Sequence, residues 1–153
     1  MKTYFDSSVI VALYVPEAFS AAARRAIRKT QIPLTSLHVL ELFNTFERLV
    51  GLRALTRDDQ RKLAEQFRED AEEGRLVART LDLAQTFSDA HKLSLAHTAK
   101  LLTRSLDLLH VAAASLLGCA AFASADRRQL ALAKAAGLAV VDITGHKPSR
   151  ARV

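Results

Sequence analysis

The 153-residue sequence predicts an α/β fold, with a mostly parallel central sheet of about four to five short strands flanked by helices. Three observations carry that expectation. Short runs rich in β-forming residues alternate with longer helical patterns along the chain, the order that winds a parallel sheet with helices on both faces. Gly51, Gly74, Gly118 and Gly137 each follow a helical stretch, where a left-handed C-terminal cap is their common role. The composition, 50% hydrophobic and 25% charged, is that of an ordinary globular protein. The length suits one domain, assigned to 1–145, followed by a basic and loose tail at 146–153.

Lys2 to Phe5 reads as the first strand, Ser7-Ser8 as a turn, and Val9 to Val15 as a helix stopped at Pro16. A second helix spans Glu17 to Lys29, with arginines 24, 25 and 28 on one side, as a solvated face or as a track for phosphates. Ile32 to Thr35 is a short strand, and Ser36 caps a helix running to Val50. Thr56-Arg57-Asp58-Asp59 resembles a capping box and opens a charged helix ending before Gly74. Leu76 to Ala78 is the next strand. Asp82 to Leu117 is almost wholly helical, in two or three pieces jointed between Ser94 and Ser105. Ala120 to Ser124 is a strand, Asp126 to Ala136 a helix, and Leu138 to Ile143 the last strand.

Charge and cysteine content narrow the function. A formal charge of +6 attracts polyanions or acidic protein tails alike. Cys119 is the only cysteine, which excludes a disulfide framework and cysteine-rich zinc sites. An acidic residue at position 6 and the lack of any long apolar run exclude a signal peptide and a membrane span, so the expected setting is cytoplasmic. Neither a Walker motif nor G-x-G-x-x-G is present.

Four carboxylates stand out. Asp6 follows the first strand and Asp126 follows the strand Ala120 to Ser124, so both face the crevice outside the carboxyl ends of the strands. Asp126 has a second reading as a helix N-cap. Glu41 and Asp107 each sit amid apolar neighbours, where an acid needs a cation or dense donors; a buried salt bridge or a narrow exposed stripe is the alternative. Brought together, four acids repel, and a hard divalent cation such as Mg2+ or Mn2+ removes the conflict while activating water against a phosphodiester. His110, three residues after Asp107, can share its helical face and hydrogen-bond near the site, although a packed, hydrogen-bonded structural histidine is the commoner case; His91 and His97 lack metal-ligand spacing. Asn44, three after Glu41, either supports it or faces solvent.

With these positions marked, the whole chain resembles a PIN domain of the VapC type, the toxin half of bacterial and archaeal toxin–antitoxin pairs. The resemblance lies in Tyr4-Phe5-Asp6-Ser7-Ser8-Val9, Glu41, the segment from Arg104 to Ala114 around Asp107, and Phe122-Ala123-Ser124-Ala125-Asp126, where Ser124 replaces the family's usual Thr. It implies a metal-dependent ribonuclease with Asp6, Glu41, Asp107 and Asp126 as catalytic and metal-binding residues, and Ser8 and Ser124 in support. It also implies an RNA substrate and an antitoxin encoded nearby; the Ala- and Leu-rich helices add the expectation of a homodimer. The alternatives are a non-catalytic module binding RNA or protein, and a nuclease acting on DNA or structured nucleic acid.

Overall fold

A computed structural model describes residues 2–28 and 30–145. Lys29, expected to end the second helix, and the expected basic tail at 146–153 lie outside the described residues. The strands are β1 (Thr3–Phe5), β2 (Ile32–Leu34), β3 (Leu76–Ala78), β4 (Ala121–Ser124) and β5 (Ala139–Asp142). The helices are α1 (Ser7–Tyr14), α2 (Ser20–Ile27), α3 (Ser36–Gly51), α4 (Arg57–Glu72), α5 (Leu83–Leu93), α6 (Ala99–Leu101), α7 (Ser105–Leu116) and α8 (Arg127–Ala135). A π-helical turn, Ser94–Thr98, joins α5 to α6.

Every strand pairing is parallel: β4 lies between β1 and β5, and β2 pairs with β3. β2 lies against β1 without completing a ladder, because the Phe5 carbonyl instead accepts a hydrogen bond from His38 Nε2 at 2.8 Å. Alternation along the central strands covers both faces. Tyr4 and Phe122 point into a core built with α7 and α8, whereas Phe5 and Ala123 point into a second core with α1 and α3. Strands of three or four residues are held by this burial, since their ladders alone are too short to be stable.

Several boundaries differ from expectation. No Ser7-Ser8 turn precedes α1: Asp6 is its N-cap and Ser7 is already helical. Thr35, not Ser36, precedes the first residue of α3, and its N–H donates to His38 Nδ1 at 3.0 Å, so histidine fills the acceptor place of a capping box. Gly74, Gly118 and Gly137 have positive φ as expected, but Gly51 ends α3 and the left-handed residue after it is Arg53. The joint before α7 is a second left-handed turn, at Leu102 (φ 54°).

A candidate acidic active site

The carboxyl ends of β1 and β4 lie side by side, with the Asp6 N–H donating to the Ala123 carbonyl at 2.9 Å. That pairing carries Asp6 and Asp126 to the same edge of the sheet. Asp6 is buried and held from several sides: Ser8 Oγ donates to Oδ2 at 2.6 Å and Gln129 Nε2 to Oδ1 at 3.0 Å. Ser124 gives its one proton to Gln129 Oε1 at 2.7 Å, so its 3.5 Å approach to Asp6 is not a second hydrogen bond. Asp126 caps α8 through Oδ1, which accepts from the N–H groups of Arg128 and Gln129 at 2.8 and 3.3 Å. The N-cap reading of Asp126 therefore holds, and it leaves Oδ2 for other partners.

Glu41 comes from α3 and stands over a buried polar stack. Its Oε2 accepts from Ser7 Oγ at 2.5 Å and bonds to His110 Nε2. Behind His110, the Tyr4 hydroxyl lies 2.8 Å from Nδ1. Tyr4 stays protonated because burial pushes its pKa well above the usual tyrosine range. Burial also pushes the Glu41 carboxyl up, but the contacts with His110 and Ser7 outweigh it and hold the group below the usual carboxylate range. His38 completes the stack, its ring centroid 5.1 Å from that of His110. A backbone N–H donates to its Nδ1 and a carbonyl accepts from its Nε2, which fixes the neutral tautomer. Burial accordingly pushes its pKa down to about 3.

Asp107 lies in the first turn of α7, where Oδ2 accepts from the Arg104 N–H at 3.0 Å. It is buried, and its link to the other acids is the Arg104 guanidinium: Nε is 3.4 Å from Asp107 Oδ2 and Nη2 is 3.3 Å from Asp126 Oδ2. Asp6, Glu41 and Asp126 line a cleft of about 820 Å3 together with Ser8, Arg48 and Arg104; Asp107 is not part of that lining. Glu17 adds a further acid, and Arg127 and Arg128 further cations, to the lining.

As they are placed, no three acid, histidine or cysteine groups among the described residues converge closely enough to hold one metal ion. The donor set still fits a hard divalent cation, because it is all oxygen and Mg2+ commonly binds through one or two carboxylates, keeping waters on its remaining positions. Positive charge already bridges Asp107 and Asp126 in the form of Arg104.

Of the residues named from sequence, Asp6, Ser8, Glu41 and Asp126 line the one cleft, whereas Asp107, joined to Asp126 through Arg104, and Ser124, bonded to Gln129, do not. Asn44 is exposed and lies off the cleft lining, as do His91 and His97. Ser7, Arg104 and Gln129 carry contacts that sequence reading missed, while His110 is both packed and hydrogen-bonded at the site, with Glu41 as its partner. For Gln129 the local signal misleads: Asp126-x-x-Gln129 is a capping-box pattern, yet the amide turns inward to Asp6.

The family model described as PIN domain matches residues 3–141. No curated protein matches the sequence. Among solved structures, FitAcB from Neisseria gonorrhoeae superposes with a TM-score of 0.65 at 16% identity, over 94% of this chain and 99% of that one. FitAB bound to an IR36 DNA fragment also gives 0.65, at 15% identity over 97% and 99%. At such identity the likeness is one of fold.

Proposed function

Since this chain belongs to the PIN domain family, we propose that it is a metal-dependent endoribonuclease and the toxin component of a toxin–antitoxin pair. One observation carries the reading: Asp6, Glu41 and Asp126, from three separate segments, line one cleft together with Arg48, Arg104, Arg127 and Arg128, and Arg104 joins Asp107 to Asp126 there. Asp6, Glu41, Asp107 and Asp126 are the residues that would hold Mg2+ or Mn2+. Such an ion supplies, when bound, the charge that activates water and stabilises the leaving oxygen of a phosphodiester.

The chain's own residues do the rest. Gln129 and Ser8 fix the Asp6 carboxylate before any ligand arrives. Ser7 and His110 hold Glu41 by one oxygen, and Oε1 takes no hydrogen bond among the described residues, leaving it able to accept from a water. Arg48 and Arg127 line the cleft and form no ion pair among the described residues, which suits contacts to a polyanionic backbone. Serine and cysteine nucleophiles are not needed by this chemistry.

The antitoxin is proposed as an acidic-cleft blocker encoded nearby. A cytoplasmic setting and a homodimer belong to the same reading; no described helix is long and apolar enough to cross a membrane. DNA is the second substrate to test, since FitAB, similar in fold, is a complex bound to a DNA fragment. Purified protein should be incubated with single-stranded RNA, duplex RNA and DNA in Mg2+, Mn2+ and chelator. The proposal expects cutting of single-stranded RNA that chelator abolishes. Cutting that survives chelator contradicts the metal mechanism, and cutting of DNA alone moves the assignment to the second substrate.

A further inference from the structure

Arg104 is an unusual residue for its place. It is the N-cap of α7, a position where Ser, Thr, Asp or Asn normally accepts a backbone N–H and a guanidinium cannot. Thr103 and Ser105 flank it, so a capping side chain was one residue away on either side. The turn that presents it contains Leu102 in the left-handed region, strained for a branched side chain. What the guanidinium gains there is a bridge across two acids that would otherwise repel, Nε to Asp107 Oδ2 at 3.4 Å and Nη2 to Asp126 Oδ2 at 3.3 Å. Both contacts are long for charge-assisted bonds, and the Arg104 side chain is 66% exposed. The arm is therefore loosely held and free to leave.

We propose that Arg104 alternates between two partners: it is the counter-ion of Asp107 and Asp126 while the cleft lacks a divalent cation, and a phosphate-binding arm once a cation takes those carboxylates. The inference rests on the metal-dependent nuclease reading for its second state only. A divalent ion and the guanidinium compete for the same oxygens, so metal entry releases the arm at the mouth of a cleft where Arg48 and Arg127 also stand. Freed arginine binds phosphate bidentately. Metal and nucleic acid then help each other bind, and by linkage each raises the other's affinity by the same factor.

The test is Mn2+ titration calorimetry on wild type, Arg104→Gln and Arg104→Lys, followed by anisotropy of a hydrolysis-resistant phosphorothioate RNA with and without Mn2+. Arg104→Gln should bind Mn2+ on the order of 5-fold tighter than wild type, because its competitor is gone. Arg104→Lys, which keeps the charge, should stay nearer wild type. In the RNA experiment, Mn2+ should raise wild-type affinity on the order of 5-fold beyond the gain in Arg104→Gln. The bond from the Arg104 backbone N–H to Asp107 survives these substitutions, so thermal melts should show folded variants; if Gln fails to fold, Arg104→Met keeps the aliphatic stem and answers the same question. Unchanged or weaker Mn2+ binding in a folded neutral variant overturns the counter-ion, and equal RNA gains overturn the arm. Tighter Mn2+ binding in a protein that cuts no RNA would uphold the counter-ion while refuting the ribonuclease.

Discussion

Arg79-Thr80-Leu81-Asp82-Leu83 and Arg104-Ser105-Leu106-Asp107-Leu108 share one local pattern of Arg, hydroxyl, Leu, Asp and Leu, yet the chain uses them in different registers. In the first, the aspartate is itself the N-cap: Asp82 Oδ1 accepts from the Gln85 N–H at 2.9 Å and α5 starts one residue later. In the second, the arginine takes the cap position, α7 starts at Ser105, and Asp107 falls inside the first turn. Three positions of shift rotate everything that follows. Leu108 is 6% exposed where Leu83 is 52%, and the residue three after each aspartate is buried His110 in one case and exposed Gln85 in the other. A pentapeptide does not fix which face of a helix meets the sheet; Tyr4 and Phe122 beneath α7 do.

The largest effect should separate the two leucines. Leu108→Ala opens a cavity against the α7 core and should cost about 2–5 kcal/mol in denaturant unfolding, whereas Leu83→Ala should stay within about 0.5 kcal/mol of wild type. Equal costs would mean that the two helices are equally embedded. Next comes the residue one turn on. His110→Ala leaves Glu41 held by Ser7 alone and should lower RNA cleavage on the order of 10–100-fold, while Gln85→Ala, which loses only a surface bond to Asp89, should leave it unchanged. Wild-type cleavage by a folded His110→Ala protein would remove the positioning role.

The smallest effect is read from pH. His38, packed against His110, is held neutral down to about pH 3, against 6.5 for the free side chain. Between those values the unfolded chain binds a proton that the folded chain does not. Stability should therefore fall as pH drops through that window, by at most about 1.4 kcal/mol per pH unit from this group. Glu41, held below its usual range, adds loss in the same direction when it is protonated in acid. In His38→Gln the amide can donate to the Phe5 carbonyl and accept from the Thr35 N–H, so its melting temperature should decline less steeply than wild type from pH 6.5 to pH 4. Parallel curves would contradict the assignment.

Much of the fold was legible because it is written locally. Gly74, Gly118 and Gly137 mark helix ends, Thr56 with Asp59 marks a helix start, and β-rich runs mark the parallel strands. Asp6 and Asp126 could be placed for a related reason, since the end of a strand in a parallel sheet is also the edge of its crevice. Ser8, which bonds Asp6 two residues away, was legible as a support, whereas the partners of two others were not, because they lie far along the chain: His110 meets Glu41 across 69 positions and Gln129 meets Asp6 across 123. His110 in an apolar helix reads as packed and hydrogen-bonded, but its partner is named only when Glu41 is seen beside it. The register of α7 was hidden for the same reason, since the core residues Tyr4 and Phe122 lie far from it in sequence.

The most direct measurement is metal-dependent cleavage of single-stranded RNA by Asp107→Asn and Asp82→Asn side by side, with a thermal melt of each. Asparagine keeps the shape of either side chain and is itself a competent cap, so both proteins should remain folded. Asp107→Asn should abolish cleavage, because the amide keeps the shape and loses the charge that would hold the ion, whereas Asp82→Asn should retain most of it. Full activity in a folded Asp107→Asn protein, or selective loss in Asp82→Asn, would contradict the placing of the third carboxylate.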